Sequence, residues 1–157
     1  MDFIDRQIIQ ATQAGLPLVA EPYRAVAEQV GLDEQEVMRR MTRMQDEGVI
    51  RRIAAVPNHY KLGYLFNGMT VWDVDDQRVD GLGQSVAELP FVSHCYQRPR
   101  HLPDWPYNLF AMIHGKTEQE AERQVFAIAE ILGDSARSHE VLYSTKILKK
   151  TGLRIGA

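Results

Sequence analysis

A chain of 157 residues can bury one sizeable core or two small ones, and its 45% apolar and 25% charged residues are those of a globular protein. The net charge of −3 lacks the basic surplus common among nucleic-acid binders, and no apolar run approaches the roughly 20 residues of a membrane span. The acidic start is no secretory signal, the single cysteine, Cys95, excludes an intrachain disulfide and fits a cytoplasmic location, and without CxxC, HExxH or P-loop no metal site is expected.

Residues 2–13 carry Phe3, Ile4, Ile8, Ile9 and Ala11 at helical spacing, and Gly15 closes the segment. Pro22 opens a second helix with Ala25, Val26 and Val30 inward. Gly31 and Leu32 make a tight turn. Asp33 caps a third helix, and Glu36, three residues on, completes the pattern of a capping box. Val37, Met41 and Met44 form its inner stripe, Gly48 ends it, and residues 49–53 read as a strand. Three short helices and a strand predict a winged helix-turn-helix over residues 1–57.

Pro57 and Asn58 mark a joint, and the pattern then changes. Strands are predicted at 66–74, 91–97, 107–114 and 138–148, with helices at 76–89 and 117–132. Strand-helix-strand-strand-helix-strand is a ferredoxin-like βαββαβ domain over residues 58–157, so the fold class is α+β.

Residues 94–115 hold most of the chemistry. Two strand-like runs bearing His94 and His114 flank a loop rich in Pro, Arg, Trp and Asp. Imidazoles move protons near neutral pH, guanidiniums hold carboxylates, and aromatic side chains stack on planar rings. Alternation puts His94 and Tyr96 on one face of their strand, with Cys95 opposite. Asn108, Phe110, Met112 and His114 share a face of the next, away from Leu109, Ala111 and Ile113, which should pack on the helices. Phe110, Met112 and Thr70 should share that outer face, which is then too apolar to leave wet and should be covered by a partner subunit. Trp105 can stack on a ligand or plug the loop. Tyr107 and Asn108 can bind carboxylates or fix the corner.

The third helix begins Asp33-Glu34-Gln35-Glu36 where a recognition helix would meet DNA, and three carboxylates there oppose phosphate and groove binding. Arg40 has an i,i+4 partner in Glu36, so no specific DNA binding is expected.

The N-terminal segments Ile4-Asp-Arg-Gln-Ile-Ile9, Val26-Ala-Glu-Gln-Val-Gly-Leu32 and Arg43-Met-Gln-Asp-Glu-Gly-Val-Ile-Arg-Arg52 resemble the Lrp/AsnC transcription regulators. Residues 94–98 (His-Cys-Tyr-Gln-Arg), 105–108 (Trp-Pro-Tyr-Asn) and 112–115 (Met-Ile-His-Gly), with the linker residues 51–64, resemble instead the sirohaem decarboxylases. That family shares the Lrp/AsnC fold and acts in haem d1 and alternative haem biosynthesis.

The resemblance implies a carboxy-lyase subunit that removes carbon dioxide from the C12 and C18 acetates of sirohaem, giving 12,18-didecarboxysirohaem. It implies no cofactor beyond the iron tetrapyrrole substrate, and a paralogous subunit or a second copy as partner. His94 and His114 are the candidate catalytic residues. Arg51, Arg52, His59, Arg98, Trp105, Tyr107 and Asn108 are the candidates for binding substrate, Arg51 or Arg52 by clamping a propionate. The rival reading is an Lrp/AsnC-type regulator that binds DNA and a small effector or haem.

Overall fold

A computed structural model describes residues 1–149, 152 and 154–156. The chain forms two compact units. One comprises Met1–Val56 with Lys149–Ala157, the other Pro57–Leu148. The C-terminal tail, expected in the second domain, thus belongs with the first. Gln13 holds it, accepting from the Ile155 N–H at 3.0 Å, while Gln10 donates to the Gly156 carbonyl.

The first unit contains α1 (Phe3–Thr12), α2 (Pro22–Val30) and α3 (Glu34–Asp46). Their apolar stripes meet in a core of Ile8, Val26, Ala27, Val37, Met41 and Met44. Phe3 stays outside it, 72% exposed. Gly31 adopts φ +70 after α2, a left-handed conformation that glycine takes without a Cβ penalty, and this makes the turn. Asp33 caps α3 by accepting from the Gln35 N–H. Its reciprocal partner is missing because the Glu36 carboxylate is held by Arg39 and Arg40. The full capping box forms on α1 instead, between Asp2 and Asp5.

The wing strand expected at 49–53 does not form. Ile50 donates to the Met44 carbonyl, but residues 51–58 are exposed and pair with no strand. A strand needs a partner for its ladder, and among the described residues of this unit none exists. The domain is a three-helix helix-turn-helix.

The second unit runs β1 (Phe66–Val74), α4 (Val79–Ala87), β2 (His94–Gln97), β3 (Leu109–Gly115), α5 (Glu118–Leu132) and β4 (Ala136–Tyr143). Its sheet has the order β2-β3-β1-β4, with every adjacent pair antiparallel. This is the expected ferredoxin-like arrangement. Leu109, Ala111 and Ile113 of β3 join Trp72 and Val74 of β1 beneath the two helices, which contribute Val79, Val86, Ala121, Ile128 and Leu132. Gly115 ends β3 where a Cβ would lie 3.0 Å from the Thr117 carbonyl oxygen and the Ala121 nitrogen, so α5 approaches the strand closely only because residue 115 lacks a side chain.

The outer sheet face differs from expectation at one position. Thr70 pairs with Ala111, not with Phe110, and so lies on the helix side. There its hydroxyl donates to the Ala111 carbonyl and accepts from the Trp72 indole at 2.8 Å. The outer face carries Asn67, Met69 and Val71 from β1, opposite His114, Met112 and Phe110.

Candidate active site

The loop between β2 and β3 folds over one end of this outer face. Arg100 anchors it. Its guanidinium donates to Asp73 at 2.5 Å, to Asp76 at 3.1 Å, and to the Val74 and Pro106 carbonyls. Asn108 is 2% exposed and ties the corner down. Its Oδ1 accepts from the Val74 N–H, and its Nδ2 donates to the Val74 carbonyl and to Asp76.

Tyr107 is buried beside Phe110 and Val71, and its hydrogen bond to Glu140, with burial second, holds its phenol above the usual range. Trp105 meets Tyr107 edge-on at 5.1 Å and lies at 6.4 Å over Phe110. Trp105 thus packs the loop against Phe110, and Tyr107 and Asn108 hold the corner. Arg100, which sequence reasoning passed over, is the residue that secures them.

Arg98, two residues away, is exposed and carries no such anchoring. Its guanidinium lies 5.6 Å from the Tyr96 ring centroid and 5.1 Å from that of Phe110. Its backbone N–H donates to the Asn108 carbonyl, which holds the side chain at the edge of the outer face.

Beside this edge the histidines gather. His114 Nδ1 lies 2.6 Å from Asn67 Oδ1, and its Nε2 lies 2.7 Å from Ser93 Oγ. The same hydroxyl lies 3.1 Å from His94 Nδ1. His59 joins the group, its ring centroid 5.5 Å from that of His114. The structure therefore unites His94, His114 and His59, which are far apart in sequence. Antiparallel pairing explains the first two: His94 sits opposite Met112, two residues from His114 on the same face.

Asn67 and Ser93 were not singled out from sequence. A buried asparagine within the apolar run of β1 was the available signal for the first; nothing marked the second. Arg51 and Arg52 are exposed in the irregular segment of the first unit. Cys95 is half-buried, donates weakly to the Gly83 carbonyl, and has its thiol raised by burial, as befits a packing residue.

In the first unit, Arg40 and Arg43 of α3 turn toward Asp5. Asp5 is fully buried and accepts from Arg40 at 2.9 Å and Arg43 at 2.6 Å. Burial pushes its carboxyl up, but the Asp2 N–H and the two guanidiniums outweigh it and hold it below the ordinary value. Arg40 also binds Asp2 and Glu36, and Arg39 binds Glu36. Hydrogen bonds from these arginines draw Asp2 and Glu36 down to about 2.

A three-helix helix-turn-helix followed by a ferredoxin-like unit is the AsnC-type architecture. The solved structure of Escherichia coli AsnC superposes with a TM-score of 0.78 over 98% of this chain and 97% of its own, at 17% identity. Residues 61–149 match the family description "AsnC-like ligand binding domain", and residues 5–51 match "Siroheme decarboxylase NirDL-like HTH domain".

The chain belongs to the sirohaem decarboxylase family. It is 59% identical over 150 residues to the siroheme decarboxylase NirH subunit of Pseudomonas aeruginosa, covering 96% of this chain and 88% of the relative. It is also similar to the crystal structure of the siroheme decarboxylase NirDL in co-complex with an iron-uroporphyrin III analogue. The TM-score there is 0.65 at 32% identity, over 99% of this chain and 47% of the other. This chain thus spans about half of that one. No described helix is long and apolar enough to cross a membrane.

Proposed function

We propose that this chain is a subunit of a sirohaem decarboxylase that acts with a paralogous subunit and removes carbon dioxide from the C12 and C18 acetates of sirohaem, with no further cofactor. The observation that carries this reading is the pair His94 and His114, joined through Ser93 on the sheet face away from the helices, in a chain of this family. An acetate on a pyrrole carbon loses carbon dioxide once the departing electrons have a sink and a proton is supplied. The conjugated macrocycle provides the first and an imidazole the second.

His94 and His114 are the catalytic pair, with His59 beside them. Arg98 holds a substrate carboxylate. Trp105, Tyr107 and Asn108 serve binding indirectly, by shaping the loop that carries Arg98. The outer face keeps Tyr96 and Leu142 nearly half exposed, and a partner subunit covers it in the working enzyme. The deciding experiment is anaerobic incubation of the chain with sirohaem, alone and with a co-encoded paralogue, followed by mass spectrometry. Two successive losses of carbon dioxide are expected; an unchanged tetrapyrrole under every combination overturns the reading.

Arg98→Ala is expected to weaken sirohaem affinity by about tenfold or more while changing single-turnover rate less, because its role is to hold a carboxylate. Titration of substrate absorbance alongside single-turnover kinetics separates the two effects.

The rival, a DNA-binding regulator, loses ground at α3. Arg39, Arg40 and Arg43 are engaged by carboxylates of their own unit, and the start of the helix is acidic. A gel shift at low salt against promoter DNA from its own operon should show no specific complex. Submicromolar binding that survives competitor DNA would restore the regulator.

A further inference from the structure

We propose that Ser93 and Asn67 make the two histidines into a one-proton store, loaded on His114 and discharged through His94. The inference rests on the decarboxylase reading and adds to it the residues that govern proton supply. The direction follows from the hydrogen-bond partners. The Tyr64 carbonyl accepts from Asn67 Nδ2 at 2.9 Å, so Asn67 turns Oδ1 toward His114. That oxygen only accepts, so neutral His114 carries its proton on Nδ1 and leaves a lone pair on Nε2. Ser93 donates to that lone pair across 2.7 Å, and its oxygen accepts from His94 Nδ1 across 3.1 Å. The chain ends at Nε2 of the exposed His94 ring. This is the discharged state.

Adding one proton reverses both bonds made by the Ser93 hydroxyl and leaves the bond from His114 Nδ1 to Asn67 as it was. His114 becomes an imidazolium that donates from Nδ1 to Asn67 and from Nε2 to Ser93. Ser93 then donates to His94 Nδ1, and His94 presents an Nε2–H outward. In the reaction, the bond between the acetate methylene and its carboxylate carbon breaks and carbon dioxide leaves. The electron pair passes through the conjugated ring system, and the methylene carbon gains one proton from His94 Nε2. His94 is replenished at Nδ1 by Ser93, and Ser93 by His114. Each acetate consumes one proton, so two removals from one substrate need the store to refill between them, through the same outward nitrogen. Ser93 and Asn67 touch no reacting atom; they are positioning residues.

Ser93→Ala cuts the row while leaving the backbone bond from the Ser93 N–H to the Met112 carbonyl in place. Ser93→Thr keeps a hydroxyl at the position just ahead of β2. In the complete subunit complex, Ser93→Ala is expected to slow single-turnover decarboxylation by about tenfold or more and flatten its dependence on pH. Ser93→Thr should stay within about threefold of the parent. Nitrogen-15 spectra of the imidazoles, recorded without substrate, should show neutral His114 protonated at Nδ1 and bare at Nε2. Ser93→Ala turning over at the parent rate with the parent pH profile overturns the relay, as does a His114 ring protonated at Nε2 when neutral. If the parent complex leaves sirohaem untouched, the decarboxylase reading fails, while the imidazole spectra still decide the proton arrangement.

Discussion

Replacing His94 or His114 by Ala is expected to slow decarboxylation of sirohaem by about 10² to 10⁴, roughly 3–5 kcal/mol of barrier, with the fold intact. Neither side chain holds the structure up. His94 is exposed on a short edge strand, and His114 is half-buried with its ring on the outer face, away from the helix-covered core. Single-turnover kinetics in the complete complex, with circular dichroism of each variant, provide the check. Parent rates in both variants would place the chemistry in a partner subunit or on another acid.

Asp5→Ala is expected to destabilise the first unit by about 3 kcal/mol. Breaking a buried ion pair costs about 3–5 kcal/mol because a charge is left without its partner. The lower end applies here, since the Arg43 side chain keeps 36% of its exposure and can reach water. Urea melts of parent and variant measure the difference. The pH dependence has a definite sign. The Asp5 carboxyl titrates below its unfolded value of about 3.9, so its contribution is fully present above that pH. It is lost as pH falls through the folded value. The two stability curves should therefore run parallel near neutrality and converge in strong acid. A variant as stable as the parent at pH 7 would show that the cluster contributes nothing net.

Much of this molecule was legible in its sequence, and the reasons are local. Periodicity placed α1 to α5, because each buries an apolar stripe. Strand alternation put Cys95, Leu109, Ala111 and Ile113 under the helices and His114 on the far face. Most of the failures share a root: pairing between distant residues leaves no trace in spacing. The run Val49–Ile53 looks like a strand, but a strand exists only if another lies beside it. Thr70 reads as an outer-face residue until the register sets it opposite Ala111. Asp33 and Glu36 carry a capping-box pattern, yet Arg39 and Arg40 take the glutamate first. The histidines could be named one by one, but Ser93, just ahead of β2, and Asn67, on β1, come to either side of His114 only in the folded sheet.

Two arginines stand two residues apart in the loop and divide its duties. Arg100 spends its whole guanidinium on Asp73, Asp76 and two carbonyls, while Arg98 only rests against aromatic rings. In the proposed function, structural integrity and ligand contact thus fall to separate side chains. On that proposal, exchanging residue 98 would revise the ligand contact without loosening the corner that Arg100 fastens. A scaffold wired in this way is free to drift among related tetrapyrroles, and duplicated copies can specialise on different side chains of one ring.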